Sequence, residues 1–184
     1  MTLASALFGG GGSGLPYLSG VLYPCLNYSG SIASTINRDY LLTFAPRKSV
    51  TVDKVAWHRD QATAANIYVG IYSSAGVLLT NCAVDTDTTV GWHAVDTTNI
   101  TLLPTQVYFF AINVSADVLT IANTTPGNSA DYGGLVQLGV AMSASTGVSG
   151  AFKARTNAAL LSSLTMSGFT VMGTDIPALG FVPA

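Results

Sequence analysis

The feature that most constrains the fold is a series of short alternating segments over residues 41–113. Apolar side chains occupy every second position in 67–72 and again in 108–114. A period of two residues is that of a strand with one buried face. Turn-forming residues separate these segments about every 8–12 residues, which is typical of a sandwich or a barrel. We therefore predict an all-β, antiparallel β-sandwich.

One strand of this series changes its phase. Residues 50–52 and 55–57 each place apolar side chains at alternate positions, but the two patterns are offset at Asp53 and Lys54. A shift of one residue moves a strand's apolar side chains to the other face of the sheet, unless a bulge corrects it. The sequence therefore predicts a β-bulge or bend at Asp53–Lys54.

The scarcity of charge favours strands over helices and indicates an assembly. Only 9% of the residues are charged, against roughly 25% in an average soluble domain. The chain has no glutamate and few lysines, both good helix formers, so we expect no long exposed helices. A surface so poor in charge limits the solubility of a monomer. We therefore expect partner chains to cover much of it.

Charge and hydropathy also limit the classes of partner. A net charge of −2 argues against nucleic acid, and no apolar run is long enough to span a bilayer. We expect no signal peptide, because residues 1–8 lack a basic start. Five of the seven basic residues fall within 38–59, interleaved with Asp39, Asp53 and Asp60. They indicate either an anion-binding patch or, as we prefer, a salt-bridged sheet rim or interface.

Residues 1–20 differ from the rest of the chain, and we predict that they form an anchoring arm on a sandwich domain of residues 21–184. The glycine-rich run 9–14 cannot lie inside a strand or helix. A flexible linker or a cloning scar is the alternative. Apolar side chains on both sides of this run are suited to docking on a neighbouring subunit. The residues expected to dock are Leu3, Leu7, Phe8, Leu15 and Tyr17.

Few residues are candidates for metal binding. His58 and His93 each adjoin a tryptophan, and with Asp60 they would form a weak metal site if the strands brought them together. We prefer packing of both histidines against Trp57 and Trp92. Asp85 and Asp87 are either turn formers, as we prefer, or calcium ligands. We predict no metal and no cofactor.

The chain also lacks the motifs of common enzymes. No Gly-x-Ser-x-Gly motif joins a strand to a helix, and the glycine run has no P-loop lysine. A glycosidase without glutamate would depend on paired aspartates. Cys25 and Cys82 fit no zinc or redox motif, and we expect two reduced, buried thiols, with a single disulfide as the alternative. We therefore do not expect an enzyme.

The aromatic side chains suggest a binding surface. Tyr68 and Tyr72 alternate with Ile67, Val69 and Ile71 and so occupy the opposite face of their strand. An exposed aromatic platform would suit a sugar, whereas aromatic residues in strands more often belong to a core or an interface. The candidates for glycan or interface contacts are Trp57, Tyr68, Tyr72 and Trp92.

The C-terminal third alternates less regularly. Residues 135–140 fit a strand, and residues 157–164 fit one or two helical turns. The apolar tail 176–183 is predicted to be extended and either to close the sheet or to lie on a partner.

Several motifs within residues 37–122 resemble a jelly-roll module of tailed-bacteriophage virion structural proteins. In that module an Arg-x-Tyr start is followed by a Thr-(Ile/Val)-Asp-(Lys/Arg)-(Ile/Val) strand, a Gly-Ile-Tyr strand with a glycine turn, a Leu-Pro pair and a Tyr-Trp strand. The matching residues here, with Phe109 in place of the usual tryptophan, are Arg38-Asp39-Tyr40, Thr51-Val52-Asp53-Lys54-Val55, Gly70-Ile71-Tyr72, Gly76, Leu103-Pro104 and Tyr108-Phe109. The resemblance implies a jelly-roll-like sandwich located in the virion, and it carries over no catalytic residue.

Modules of this type occur in capsid decoration proteins, tail fibres, receptor-binding tips and baseplates. The short chain shows no fibre shaft, so we expect a capsid decoration (cement) protein that forms a homotrimer. Its expected partners are the major capsid protein or other virion subunits. The alternative is a tail-fibre or receptor-binding module that recognises a host-surface glycan.

Overall fold

The computed structural model describes residues 18–24, 36–44, 46, 48–104, 106–119, 121–122, 150–165, 167–172 and 176–184. All regular secondary structure within these ranges is β-strand. No helix in the described residues is long and apolar enough to cross a membrane. The predicted strand 135–140 and Cys25 lie outside these ranges.

The strands form two main antiparallel sheets. The small sheet has the order β1–β12–β3–β6 and contains Tyr23–Pro24, Leu179–Pro183, Val50–Arg59 and Gly91–Leu102. The large sheet has the order β10–β9–β2–β7–β4–β5 and contains Thr170–Met172, Gly150–Ala154, Arg38–Phe44, Tyr108–Val114, Ile67–Ser73 and Ala83–Asp85. A further short pair joins β8, Ile121–Ala122, to β11, Ile176–Pro177.

The chain crosses repeatedly between the two main sheets. Strand β2 lies in the large sheet, β3 in the small sheet, β4 in the large sheet, β6 in the small sheet and β7 in the large sheet again. Both sheets direct apolar side chains into one shared core, so the predicted β-sandwich is confirmed. The tail strand β12 lies between β1 and β3, as expected for a tail that closes the sheet.

The core between the sheets is built by alternate residues of the longest strands. Phe44, Phe110 and Phe181 form its aromatic centre, with ring centroids 5.3 to 6.0 Å apart. Strand β7 is buried along its whole length, because Phe110 and Ile112 face this core while Phe109 and Ala111 face a second cluster. The large sheet is therefore covered on both of its faces near β7.

The predicted bulge is confirmed. The register between β3 and β6 shifts between Val52 and Lys54. Val50 and Val52 face the core before the shift, and Val55 and Trp57 face it afterwards. The bulge thus keeps the apolar side chains of a ten-residue strand on one face although their spacing changes.

The outer face of the large sheet is covered by the segment 155–164. Helical turns were predicted for its residues 157–164, and that prediction was wrong. The amide of Leu164 donates to the Gly76 carbonyl oxygen at 2.7 Å, and the amide of Leu78 donates to the Ser162 carbonyl oxygen at 2.9 Å. Leu160 completes the second cluster over Tyr72. The segment forms no helical turn because its backbone amides bond to other parts of the sandwich, among them the 76–78 turn and Asn37, instead of to one another.

Candidate functional site

A groove of about 620 Å³ lies where the two sheets separate along one side of the sandwich. Strand β5 forms the edge of the large sheet there, and β6 forms the edge of the small sheet. The lining residues belong to β5, to β6 and to the loop that joins them: Val84, Asp85, Asp87, Thr89, Val90, Gly91, Trp92, His93, Ala94, Val95 and Asp96.

Two tryptophan–histidine pairs cross between β3 and β6 beside this groove. The ring of Trp57 stacks on His93 with centroids 4.6 Å apart, and His58 meets Trp92 edge-on at 5.4 Å. The preferred prediction that the histidines pack against the tryptophans is therefore confirmed. Trp57 lies opposite His93 in the register and His58 lies opposite Trp92, so the two histidines point to opposite faces of the sheet. For this reason a shared metal site of His58, His93 and Asp60 does not form.

His93 connects β6 to β5 and to the loop between them. Its Nδ1 lies 2.8 Å from a carboxylate oxygen of Asp85, and its Nε2 lies 2.7 Å from the carbonyl oxygen of Thr89. The side chains of His93 and Asp85 are both largely buried. Both ring nitrogens of His93 therefore lie next to oxygen atoms of β5 or of the loop that follows it. The pair therefore closes the inner side of the groove.

The loop that borders the groove is held by its aspartates. The amide of Asp87 donates to Asp85 Oδ1 at 2.8 Å, and the amide and hydroxyl of Thr89 donate to Asp87 Oδ1 at 2.9 and 2.5 Å. The hydroxyl and amide of Thr89 lower the pKa of the Asp87 carboxyl by stabilising its charged form. These are turn-forming contacts, as preferred from the sequence, and no three metal-ligating side chains are grouped anywhere in the described ranges.

Arg59 is fully buried at the end of β3, next to the groove. Its Nε donates to the Gln61 carbonyl oxygen at 2.8 Å, and a terminal nitrogen donates to the Thr63 carbonyl oxygen. The guanidinium also lies 5.7 Å from the centroid of the Trp57 ring. Burial lowers the pKa of Arg59, and the charge of Asp85 opposes this effect. Arg59 thus fixes the 61–63 loop.

Lys54 and Arg38, two further basic residues of the range 38–59, lie in different sheets. Lys54 pairs with Asp96 across the sheet and lies 3.5 Å from Asp53, and these contacts raise the pKa of its ammonium group. The Arg38 guanidinium stacks over Phe152 at 4.2 Å. The contacts of Lys54 agree with the salt-bridged interpretation.

The four aromatic candidates occupy three separate places. Trp57 is buried in the main core, and Trp92 is half-buried at the groove. The sequence left open an exposed platform at Tyr68 and Tyr72, with a core or interface position as the commoner alternative, and the structure places both in the second cluster. Tyr72 is completely buried, and its hydroxyl donates to the Leu161 carbonyl oxygen at 2.6 Å. A sugar therefore cannot reach Tyr72 while the segment 155–164 covers it.

A buried polar network was not predicted from the sequence. Asp39, which is 2% exposed, accepts hydrogen bonds from Arg155 Nε at 2.5 Å, from Arg155 Nη2 at 2.8 Å and from Asn113 Nδ2 at 2.8 Å. Asn157 Nδ2 donates to Asn113 Oδ1 at 2.7 Å. Arg155 also donates to the carbonyl oxygens of residues 158 and 159. The network therefore attaches the segment 155–164 to β2 and β7. The sequence feature that could have indicated this network is the position of Asp39 at the start of an apolar strand.

The predicted docking residues Leu3, Leu7, Phe8, Leu15 and Tyr17 lie outside the described ranges. The described chain begins at Leu18 beside β1, the outermost described strand of the small sheet, where the amide of Gly20 donates to the Pro183 carbonyl oxygen at 3.0 Å. Leu18 is 53% exposed and Val21 is 42% exposed. Residues 1–17 therefore join the sandwich at an edge that carries exposed apolar side chains.

Comparisons with protein-family models, with curated proteins and with solved structures found no match to this chain.

Proposed function

We propose that this protein is a structural component of a bacteriophage virion, namely a capsid decoration protein that stabilises the shell through contacts between subunits. The observation that carries the proposal is the attachment of residues 18–24. They run along β12 at the edge of the small sheet and present Leu18 and Val21 beside an uncharged, apolar N-terminal sequence. A sandwich with apolar residues at such an edge is suited to bridging neighbouring subunits.

The packing of the described body is suited to a passive structural role. Its two clusters pack both faces of the large sheet, and the Asp39–Arg155 network fastens the covering segment. An arm that buries apolar area in a seam contributes about 25 cal/mol per Å², or roughly 1.5–3 kcal/mol for each fully buried leucine or phenylalanine. Many such arms, repeated over a shell, would resist the internal pressure of packed DNA.

Removal of residues 1–14 tests this proposal. We expect the shortened protein to keep the β-sheet circular dichroism and cooperative unfolding of the full chain but to lose attachment to particles that lack the native protein. Serine substitution of Leu3, Leu7 and Phe8 should have the same effect, whereas alanine substitution of Ser5 and Ser13 serves as the matched control. Attachment of the shortened protein at native stoichiometry would contradict the proposal.

A second candidate function, a receptor-binding module for a host glycan, is favoured by one observation. Trp92 is half-buried in the groove and is accompanied there by the carboxylates of Asp87 and Asp96, a combination suited to the apolar face and hydroxyl groups of a sugar. Copy number separates the two functions, because a decoration protein is present in hundreds of copies and a tail module in a handful. Glycan binding that is lost in Trp92→Ala, with the fold retained, would favour the second candidate.

A further inference from the structure

The segment 155–164 belongs to an unusually long connection between two paired strands. Strands β9 and β10 run antiparallel with Phe152 opposite Thr170, so the two ends of their connection lie side by side. The connection covers residues 155–169, whereas most hairpin loops have about 2–5 residues. Its described part contains no helix and no strand. Long loops whose ends lie close together commonly act as lids or binding loops.

The base of this segment, which we define as residues 155–157, is fixed by the buried polar network. Arg155 Nη2 donates to the Asp39 carboxylate at 2.8 Å, and Asn157 Nδ2 donates to Asn113 Oδ1 at 2.7 Å. Asp39 belongs to β2 and Asn113 to β7, the two strands that follow β9 in the large sheet. Because the side chain of Asp39 is only 3% exposed, its hydrogen bonds are shielded from water. The base is therefore the fixed end of the segment.

The tip of the segment, which we define as residues 160–164, reaches the turn that follows β4. The amide of Leu78 donates to the Ser162 carbonyl oxygen at 2.9 Å, and the amide of Leu164 donates to the Gly76 carbonyl oxygen at 2.7 Å. The order of strands in the large sheet is β9, β2, β7 and β4, so the segment passes over β2 and β7 between its base and its tip. The tip is thus attached far from the base, at a different part of the sheet.

Little apolar surface is buried by the tip. Leu160 is 7% exposed, but Leu161 is 49% exposed, and residues 162 and 163 are exposed as well. The Tyr72 hydroxyl adds a hydrogen bond to the Leu161 carbonyl oxygen at 2.6 Å. Local stability depends on buried apolar contacts and on backbone hydrogen bonds that are shielded from solvent. The tip is therefore held mainly by one leucine and a few hydrogen bonds.

The strands beneath the tip are paired independently of it. Strand β7 pairs along its whole length with β4 and along most of it with β2, so these strands form their ladders with one another. The main core lies on the other face of the large sheet and includes no residue of the segment. Removal of the tip from the sheet would therefore leave the sandwich intact. It would uncover Tyr72 and Phe109 of the second cluster, which are 0% and 1% exposed.

We propose that residues 160–164 form a lid that opens about the base of the segment while the sandwich stays folded. In the closed form the lid covers Tyr72 and Phe109, and in the open form both side chains become accessible to solvent. Opening breaks the hydrogen bonds to the 76–78 turn and withdraws Leu160 from the second cluster. The inference goes beyond the proposed function and does not depend on it, because the lid and the surface that it covers belong to one sandwich.

Hydrogen exchange of the full-length protein, measured by NMR at several urea concentrations below unfolding, tests the lid. The amide of Leu78 is bonded to the tip, whereas the amide of Leu79 donates to the Ile71 carbonyl oxygen of β4 at 2.8 Å. After correction for intrinsic rates, we expect the amides of Leu78 and Leu164 to exchange at least about tenfold faster than that of Leu79. Their rates should not depend on urea, whereas exchange at Leu79 should accelerate with urea, as global unfolding does. Equal rates with equal urea dependence at all three amides would overturn the inference.

A disulfide between the lid and the turn provides a reversible lock. Val77 and Ser163 form an isolated antiparallel bridge, and the two backbone hydrogen bonds of the tip lie on either side of this pair. Such a non-hydrogen-bonded pair has Cα atoms about 4.5 Å apart, a distance that a disulfide spans. Val77→Cys and Ser163→Cys are combined in a chain whose two natural cysteines are replaced by serine. With the disulfide formed, Leu78 should exchange no faster than Leu79, and reduction should restore the difference. A difference that persists in the oxidised protein, or cysteines that do not pair, would contradict the lid.

Two neighbouring leucines provide a matched pair of substitutions. Leu160→Ala removes the buried side chain of the tip and should accelerate exchange at the Leu78 amide by at least about tenfold without urea. Leu161→Ala truncates an exposed side chain and should leave that rate unchanged. Both variants should keep the β-sheet circular dichroism of the full chain. Equal exchange rates in the two variants, or loss of the sheet signal in Leu160→Ala, would show that these residues are not a lid on an independent sandwich.

Discussion

The Asp39–Arg155 pair gives the sharpest stability prediction, because one substitution leaves a charge without its partner. In Arg155→Met the aliphatic stem is retained, while the Asp39 carboxylate loses two of the three hydrogen bonds described for it. The carboxylate is 3% exposed and cannot recover them from water. Removal of one partner of a buried ion pair costs about 3–5 kcal/mol.

The expected loss lies at the lower end of that range, since the Arg155 side chain is 19% exposed and solvent partly screens the pair. We therefore expect Arg155→Met to lower the free energy of unfolding by about 3 kcal/mol. Urea unfolding at pH 7, followed by tryptophan fluorescence, measures this change as a lower midpoint at constant slope.

Two further variants show whether the loss of stability comes from the unpaired buried charge or would follow the loss of any ion pair. Lys54→Met removes an exposed ion pair and should leave the midpoint almost unchanged. Adding Asp39→Asn to Arg155→Met removes the unpaired charge, so the double variant should recover part of the lost stability. If Arg155→Met costs no more than Lys54→Met, or if the double variant is the least stable of the three, the pair does not hold the segment 155–164 as described.

Three more predictions concern the same covered face of the large sheet. Gly76 has a φ of +78°, and an added Cβ would lie 2.3 Å from the Leu164 carbonyl oxygen, so Gly76→Ala should cost at least about 2 kcal/mol in urea unfolding; a neutral result would contradict this packing. Tyr72→Phe loses a 2.6 Å hydrogen bond to Leu161 and should cost about 1 kcal/mol. Burial raises the pKa of Tyr72 above its ordinary value of about 10. The contribution of Tyr72 to stability is complete below about pH 10. Above that pH the Tyr72 hydroxyl of the unfolded chain loses a proton that the folded chain keeps. Stability should therefore fall as the pH rises, less steeply in Tyr72→Phe. Burial likewise raises the pKa of the half-buried Cys82 thiol, so in a variant without the other cysteine it should react with a disulfide reagent at pH 8 more slowly when folded than when unfolded.

Features that depend on neighbours along the chain or across one strand pair were predicted well. The phase change at Asp53–Lys54 required a bulge, because only a bulge keeps Val52 and Val55 in the same core. Each histidine adjoins a tryptophan in the sequence, and each ring packs on a tryptophan because β3 and β6 pair in the register that aligns them. Alternation with a period of two is a local consequence of strand geometry.

Contacts between residues far apart in the chain were not predicted. Asp39 and Arg155 are 116 residues apart, and nothing local to either residue indicates the other. The segment 157–164 has a helix-compatible composition, but it packs without helical turns on the apolar surface formed by Tyr72 and Phe109. The groove likewise exists only because β5 and β6, which end different sheets, lie on the same side of the sandwich.

The sequence by itself determined that the chain is all-β and poor in charge and that a β-bulge occurs at Asp53–Lys54. It also determined that an uncharged, apolar N-terminal segment precedes the sandwich. These properties follow from the residue types and their spacing, which act locally. The tertiary structure decided which faces are covered: it buried Tyr72 under the segment 155–164, placed His58 and His93 on opposite faces of the sheet, and left the groove beside β6. Those outcomes depend on the order in which strands pair, and the alternation within each strand carries no information about that order.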